Sequence, residues 1–315
     1  MKRKICFRAD AGATIGYGHF IRTLALADML KDDFDCVFFT TEPSQYQIDE
    51  LDKVCRFVIL HEEGKFEKFL GCLDGTEIVV LDNYFFTTDY QRQIKAKGCK
   101  LVCIDDLCQK HYVADAVVCY GLVEPNEIDV ESYTRLCLGL DWVLLRRPFL
   151  APLKDMKREK QIIICLGGAD PLGITEKLVS MLVKMDIQYK IVAILGDKVY
   201  LSDDNKEKVK VLKNLTAKEM AQLFESSSFG LFSASTVSIE AISRGLPSIV
   251  GYYADNQKEG YYRFVKNGFY IPLDYLPIID ENKLNDVIGK LQSFFVPTAP
   301  FESVPLNYKK LFGTL

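Results

Sequence analysis

The sequence has no run of five or six lysines and arginines, no Cys-x-x-Cys pair and no stretch of eighteen apolar residues, and only three histidines. Without a basic run there is no phosphate-tracking stripe, and the net charge of −4 points the same way, so nucleic acid is not an expected partner. Without a long apolar stretch no membrane span is expected. Met1-Lys-Arg-Lys4 passes through Ile5-Cys-Phe7 into a polar loop too quickly for a signal peptide, so the expected location is cytoplasmic. A monomer or weak dimer without stable membrane insertion is expected. The ten cysteines are scattered singly, among them Cys36, Cys55, Cys72, Cys119, Cys137 and Cys165, mostly inside apolar runs, and read as reduced core thiols. Cys108-x-x-His111 is the one metal-like pair, but a tetrahedral site needs further ligands at fitting spacing, so neither metal nor other cofactor is expected.

What is present is the composition of an ordinary globular protein: 315 residues, 49% hydrophobic and 26% charged, enough for two domain cores. Short apolar runs at Ile5–Arg8, Cys36–Thr40, Phe57–Leu60, Glu77–Leu81 and Lys100–Ile104 each precede a polar turn or helix-like segment. Alternating β and α predicts a parallel sheet. The pattern breaks near Leu144–Pro152, and charged Lys154–Lys160 follows. It then resumes with strands at Ile162–Leu166, Tyr189–Leu195, Phe229–Ser233 and Pro247–Val250 and helices at Leu172–Met185, Thr216–Ser226 and Thr236–Arg244. The expectation is two doubly wound, Rossmann-like α/β domains, 1–152 and 160–295. Glu281–Phe295 closes the second, and a tail at 296–315, after a turn at Pro297–Pro300, is expected to cross back over the first.

Arg8-Ala-Asp-Ala-Gly-Ala-Thr-Ile-Gly-Tyr-Gly-His-Phe-Ile-Arg22 joins the first strand to a helix, with Gly16 and Gly18 permitting close backbone approach to a ligand. The loop opens on the carboxyl edge of the sheet, where open α/β folds bind ligands. His19 and Arg22 are three residues apart and share a helix face, one suited to moving protons and the other to holding anions. A helix N-terminus disfavours imidazolium, which suits His19 to general-base work, with Asp10 orienting it or contacting sugar hydroxyls. The same residues also fit a plainer account: His19 as a helix-start hydrogen-bonder, Arg22 as a solvated or interdomain ion-pair partner, Asp10 as a turn former.

Leu166-Gly167-Gly168-Ala169-Asp170-Pro171 ends the first strand of the second half, with Asp170 placed to cap the next helix and Pro171 at its first turn. Ser233-Ala-Ser-Thr-Val-Ser-Ile-Glu240 joins another buried strand to a helix and sets Ser235 and Thr236 beside free N–H groups, an anion site able to stabilise a leaving diphosphate without a divalent ion. Glu240 is placed to take ribose hydroxyls, and Asn256-Gln257 to reach substrate from the same edge, although capping and turn chemistry account for them as well. Asp82-Asn-Tyr84 and Asp105-Asp106 also follow strands and read as sugar contacts or as helix caps. Tyr252, Tyr253, Tyr261, Tyr262 and Phe264 read as core or interdomain packing.

Taken together these motifs resemble the UDP-sugar hydrolases of the pseudaminic acid pathway, which share the GT-B architecture of the peptidoglycan N-acetylglucosaminyltransferase. The resemblance runs from about Lys4 to Phe295. Its carriers are Arg8-Ala-Asp10, Ile15-Gly-x-Gly-His-x-x-Arg22, Asp82-x-Tyr84, Ile104-Asp-Asp106, Gly139 through Leu145-Arg146, Gly167-Gly-x-Asp-Pro171, Ser235-Thr-x-x-x-Glu240, Gly245-x-Pro247 and Asn256-Gln257. It implies hydrolysis of UDP-2,4-diacetamido-2,4,6-trideoxy-β-L-altropyranose to free sugar and UDP, in a cleft between the two domains. Water attacks the anomeric carbon, His19 is the base and no metal is required. Asp10, Gly16, Gly18, Arg22, Asp82, Tyr84, Asp106, Arg146, Asn256 and Gln257 then fall to substrate binding, and Gly167, Gly168, Ser235, Thr236 and Glu240 to UDP. Two positions depart from the family pattern: Ala234 replaces a glycine before Ser-Thr, and Gly173 replaces an asparagine after Asp-Pro.

Two other function classes fit the same motifs: a glycosyltransferase of the same fold, in which His19 deprotonates an acceptor hydroxyl, and a non-catalytic nucleotide-sugar-binding protein. The acidic Lys31-Asp-Asp-Phe-Asp35 segment after the first helix favours water over a lipid acceptor. His19 itself argues for chemistry rather than binding alone.

Overall fold

The computed structural model describes residues 2–12, 16–153, 157–168, 170–185, 187–196, 199–291, 294, 296–297 and 301–315. The chain divides into two compact units, Met1–Arg147 with Pro300–Leu315, and Pro148–Ala299. Ile15 and Ala169 of the motifs, Phe295, and most of the Pro297–Pro300 turn lie outside the described residues.

The first unit is built on seven strands: β1 (Lys4–Ala9), β2 (Asp35–Thr41), β3 (Arg56–Leu60), β4 (Ile78–Asp82), β5 (Lys100–Ile104), β6 (Ala116–Cys119) and β7 (Arg135–Leu138). They pair in the order β3-β2-β1-β4-β5-β6-β7, every pair parallel. Helices α1 (Gly18–Leu30), α2 (Gln45–Asp52), α3 (Lys65–Gly71) and α4 (Thr88–Ala96) make the crossovers. The second unit has β8 (Glu159–Cys165), β9 (Lys190–Ile194), β10 (Lys210–Leu212), β11 (Ser227–Ser233), β12 (Ser248–Tyr252) and β13 (Ile271–Tyr275), in the parallel order β10-β9-β8-β11-β12-β13. Its helices are α5 (Ile174–Lys184), α6 (Asp203–Lys208), α7 (Ala217–Ser226), α8 (Thr236–Ser243), α9 (Asp255–Lys266) and α10 (Glu281–Gly289). The last helix, α11 (Val304–Gly313), returns to the first unit, where it packs on α1 and its Tyr308 hydroxyl donates to the Trp142 carbonyl.

The central strands carry unbroken apolar stretches in their interiors because a parallel sheet is covered on both faces. Ile162, Ile163 and Ile164 of β8 have no exposed surface, as do Ile5, Cys6 and Phe7 of β1. Each fully buried aliphatic side chain contributes about 1.5–3 kcal/mol. The strands that the periodicity does not reveal, β6, β7, β10 and β13, have four, four, three and five residues, and β13 carries Pro272. Pro171 stands in the turn before α5 rather than in its first turn, and Gly173, at φ +62°, is the N-cap.

In each unit the strand order reverses direction about its first strand, between β1 and β4 and between β8 and β11. The carboxyl ends of those strands border the crevice in which open α/β sheets bind ligands.

Candidate active site

In the first unit, Ala9 of β1 pairs with Asp82 of β4, and Leu81 of β4 with Cys103 of β5. Ile104 of β5 pairs with Val118 of β6, so two residues on, Asp106 and Tyr120 leave the sheet at one level. The loop from β1 closes on itself where the Gly16 N–H donates to the Gly12 carbonyl at 2.8 Å. Gly16 sits at φ +78°, which strains any residue with a Cβ. Gly18 opens α1 and is exposed, and Tyr17 at the N-cap supplies no side-chain bond.

His19 lies in the first turn of α1, with Arg22 on the same face. Both turn inward to Asp82, which has no exposed surface. His19 Nδ1 is 2.7 Å from Asp82 Oδ1. Arg22 donates from Nε to Oδ2 at 2.7 Å and from Nη2 to Oδ1 at 2.6 Å, and the Thr23 hydroxyl donates to Oδ2 at 2.7 Å. Burial pushes the Asp82 carboxyl up, but Arg22 and His19 outweigh it and hold it down at about 2. Facing an ionised oxygen at that distance, Nδ1 carries the proton as donor. The Arg22 Nη2 that also lies 3.0 Å from Nδ1 has its partner in the carboxylate. In a neutral ring the lone pair therefore falls on Nε2, the arrangement a general base requires.

Arg22 also donates from Nη1 to Asp106 Oδ2 at 2.9 Å and to the Tyr120 hydroxyl at 3.3 Å. Burial lowers its pKa, but Asp106 and Asp82 raise it well above the usual arginine value. The Tyr84 hydroxyl donates to Asp106 Oδ1 at 2.8 Å, and the Tyr84 ring meets the His19 ring edge-on, centroids 4.6 Å apart. His19, Asp82, Arg22, Asp106 and Tyr84 thus form a closed circuit. Asp106, with 32% of its side chain exposed, and the half-buried Tyr84 are its solvent-facing members.

Three expectations change. Asp82 is not a sugar contact: it is wholly buried and its oxygens are taken by His19, Arg22 and Thr23. Arg22, 4% exposed, is committed to Asp82 and Asp106 rather than to a bound anion. Asp10 neither orients His19 nor faces sugar: it is 3% exposed, paired with both Nη atoms of Arg8, and accepts from the Thr41 N–H at 2.8 Å, with Lys65 Nζ 3.6 Å away. Its own N–H donates to Asn83 at 2.7 Å, which locks β1 to the loop after β4. Arg146 is half-buried. Tyr120 and Thr23 escaped the sequence reading. Tyr120 directly follows a strand only four residues long, and Thr23 sits inside a helical run with no motif of its own.

The second unit presents its glycines and hydroxyls at the matching edge. Cys165 pairs with Phe232, so Gly167 and Ala234 emerge side by side, and the Ser233 hydroxyl donates to the Leu166 carbonyl at 3.0 Å. Gly167 has φ +97°, and Gly168 is exposed. A Cβ built on Gly196 falls 2.2 Å from the Gly168 carbonyl oxygen, so the loops after β8 and β9 touch backbone to backbone. Asp170 caps α5, accepting from the N–H of Ile174 at 2.9 Å and of Thr175 at 2.6 Å. Ser235 is the N-cap of α8 without a side-chain cap bond; its hydroxyl lies 3.0 Å from that of Ser233. Thr236, half-buried, opens the helix, and Glu240 is 3% exposed one turn on. At the departure from the family pattern, the Ala234 N–H donates to the Gly251 carbonyl at 2.8 Å. Asn256 is exposed in the first turn of α9, where Gln257 accepts from the Tyr253 N–H at 3.0 Å. Of the aromatic cluster, Tyr261 and Phe264 are buried but Tyr262 is 49% exposed, so packing accounts for part of it only.

The Cys108-x-x-His111 pair is split. Cys108 is buried with its thiol toward the Asp105 carbonyl, whereas the His111 ring lies between Asp129 at 2.9 Å and Glu131 at 3.1 Å, which raise its pKa. Among the described residues no helix is long and apolar enough to cross a membrane.

No family model matches the chain. It is 27% identical to an uncharacterized protein of Methanocaldococcus jannaschii over 84% of its own length, and spans 58% of that protein. It is 25% identical to the UDP-2,4-diacetamido-2,4,6-trideoxy-β-L-altropyranose hydrolase of Campylobacter jejuni, covering 86% of this chain and 100% of the relative. With the spore coat polysaccharide biosynthesis protein SpsG of Bacillus subtilis the identity is 22%, over 91% and 88%. Among solved structures, Acinetobacter baumannii MurG superposes with a TM-score of 0.66 at 12% identity, covering 99% and 100%, and Arabidopsis thaliana UGT89C1 complexed with UDP with 0.65 at 9%, covering 99% and 95%. The chain thus has the GT-B fold, and in sequence it resembles the Campylobacter UDP-sugar hydrolase along most of its length.

Proposed function

We propose that this protein is an enzyme of UDP-sugar metabolism that hydrolyses a UDP-linked diacetamido-trideoxy sugar at the anomeric carbon, as in nonulosonic (pseudaminic) acid biosynthesis. The observation that carries the reading is the 2.7 Å bond between His19 Nδ1 and the buried Asp82 carboxylate, at the carboxyl edge of β1 and β4. It leaves Nε2 to accept a proton. The likeness to the named hydrolase supports the choice of substrate class.

In this reading Nε2 takes a proton from water as the water oxygen bonds to the anomeric carbon. The bond from that carbon to the diphosphate oxygen breaks, its electron pair leaving with UDP. Stabilising the charge that develops on the diphosphate is assigned to the N-terminus of α8 with Ser235 and Thr236, and to the backbone of Gly167 and Gly168. Glu240 is assigned to the ribose, and Asn256, Gln257, Arg146, Tyr84 and Asp106 to the sugar side. Asp82 and Arg22 act behind His19: one fixes its tautomer, the other keeps Asp82 ionised and ties it to Asp106. The chemistry requires no metal in this scheme.

Transfer to an acceptor hydroxyl is the second reading, favoured by a UDP-glucosyltransferase from Polygonum tinctorium among the solved structures of like fold. Turnover of UDP-sugars in ¹⁸O-water separates the two. Hydrolysis by anomeric attack puts the label on the sugar, label on UDP refutes that attack, and turnover only with an added acceptor selects transfer. The His19→Asn variant is expected to lose at least about a hundredfold in turnover with UDP affinity nearly unchanged, whereas loss of UDP binding contradicts the assignment.

A further inference from the structure

We infer that Lys110 is a positioning residue for the site, stapling together the two loops that deliver Tyr84 and Asp106; its kinetic consequence rests on the reaction proposed above. The loop after β4 carries Tyr84 and the loop after β5 carries Asp106, and the last pairing between the two strands is Leu81 with Cys103. Beyond that point the sheet ladder no longer holds the loops together. Lys110 Nζ, on the second loop, donates to the carbonyls of Tyr84 at 3.0 Å and Phe86 at 3.2 Å, and stands 3.2 Å from Asp105 Oδ2. An ammonium has three donors, and these partners occupy all three.

The two carbonyls bracket the turn from which the Tyr84 ring reaches the edge of His19 and its hydroxyl reaches Asp106. The third partner, Asp105, is 4% exposed and adjoins Asp106. Its other oxygen accepts from the N–H of Leu107 at 2.9 Å and of Cys108 at 3.3 Å, with Cys108 in the left-handed region at φ +53°. Lys110 therefore fixes the backbone on which Tyr84 stands relative to the backbone on which Asp106 stands. It touches neither the His19 ring nor its carboxylate partner, which is what separates positioning from catalysis here.

Without the ammonium, two carbonyls and a buried carboxylate lose a common partner, and the Tyr84 turn is freed to shift. A second tie, the Thr88 hydroxyl donating to the His111 carbonyl at 2.7 Å, keeps the loops docked. A Lys110→Met protein is therefore expected to fold, with the disturbance local to Tyr84.

The test begins without substrate. With only three histidines in the chain, the carbon-bound ring protons of His19 are readily assigned by NMR, and the nearby Tyr84 ring imposes a ring-current shift on them. Tyr84→Leu, which removes the ring, sets the full size of that shift. Lys110→Met is expected to move the His19 resonances in the same direction while those of His61 stay in place, and Lys110→Arg is expected to restore them. His19 resonances unchanged in Lys110→Met overturn the inference; Lys110→Gln gives the same comparison should the methionine variant not fold.

In turnover, kcat is expected to fall about tenfold to a hundredfold with the UDP dissociation constant unchanged. Combining Lys110→Met with Tyr84→Leu is expected to cost little beyond Tyr84→Leu alone, and fully additive losses contradict positioning through Tyr84. Absence of any wild-type hydrolysis defeats the proposed reaction but leaves the NMR comparison to decide the role of Lys110.

Discussion

Asp82→Asn keeps the shape of the side chain and removes the charge at the centre of the circuit. The carboxylate accepts four bonds of 2.6–2.7 Å, from His19, twice from Arg22, and from Thr23, with no exposed surface. An amide presents one acceptor and one donor there, so at least one donor on Arg22, Thr23 or His19 faces another donor. Removing one partner of a buried ion pair typically costs about 3–5 kcal/mol, because the remaining charge stays desolvated and unmatched. The wild-type pairing gives a second scale: holding the carboxyl at about 2 instead of its ordinary 3.8 corresponds to about 2 kcal/mol. A loss of about 2–5 kcal/mol is therefore expected in urea or guanidinium unfolding. The amide NH₂ also favours a lone pair on Nδ1, which moves the ring proton to Nε2 and takes away the base of the proposed reaction, so turnover in that reaction is expected to fall about 10²–10⁴-fold. Nitrogen-15 NMR of the histidine rings reads the tautomer directly. An Asp82→Asn protein that keeps its proton on Nδ1 and its stability within about 1 kcal/mol of wild type refutes the reasoning.

The same depressed pKa makes a pH prediction. A group whose folded pKa lies below its unfolded value stabilises above the unfolded pKa, and that stability is lost as pH falls through the folded one. The Asp82 share, about 2 kcal/mol, is expected to be intact above pH ~5, to fade between about pH 4 and 2, and to be missing from the acid limb of Asp82→Asn measured by denaturant titration. Gly196→Ala drives a methyl to 2.2 Å from the Gly168 carbonyl oxygen and must displace the glycine loop. Calorimetry is expected to show UDP binding weakened at least about tenfold, about 1.4 kcal/mol; unchanged affinity removes that loop from the nucleotide site.

The strands at Ile5–Arg8 and Ile162–Leu166 were legible because strands covered on both faces carry unbroken apolar stretches, here Ile5–Phe7 and Ile162–Leu166, with the buried Arg8 at the strand end paired to Asp10. β6 and β7 were not, since Ala116-Val-Val-Cys119 and Arg135-Leu-Cys-Leu138 are too short to show a period. The segment Glu281–Phe295, to which the sequence assigns no secondary structure, forms α10 over Glu281–Gly289, with Lys290 as the C-cap. Of the first-unit site, His19, Arg22, Asp82, Tyr84 and Asp106 were all legible as strand-end or helix-start residues. Their partners were not. Arg22 read as an anion holder because a cation at a glycine loop has that use by default, yet two carboxylates already hold it.

By itself the sequence determined that the chain alternates β and α, and where glycines, hydroxyls and ionisable groups fall at strand ends, since those features depend on neighbours along the chain. Only the tertiary structure decided which groups meet. His19 finds Asp82 sixty-three residues away because β4 lies beside β1, and Arg22 reaches Asp106 and Tyr120 because β5 and β6 follow in the sheet. Strand order is set by how crossover helices pack on a twisted sheet, and that packing spreads over residues far apart in the chain.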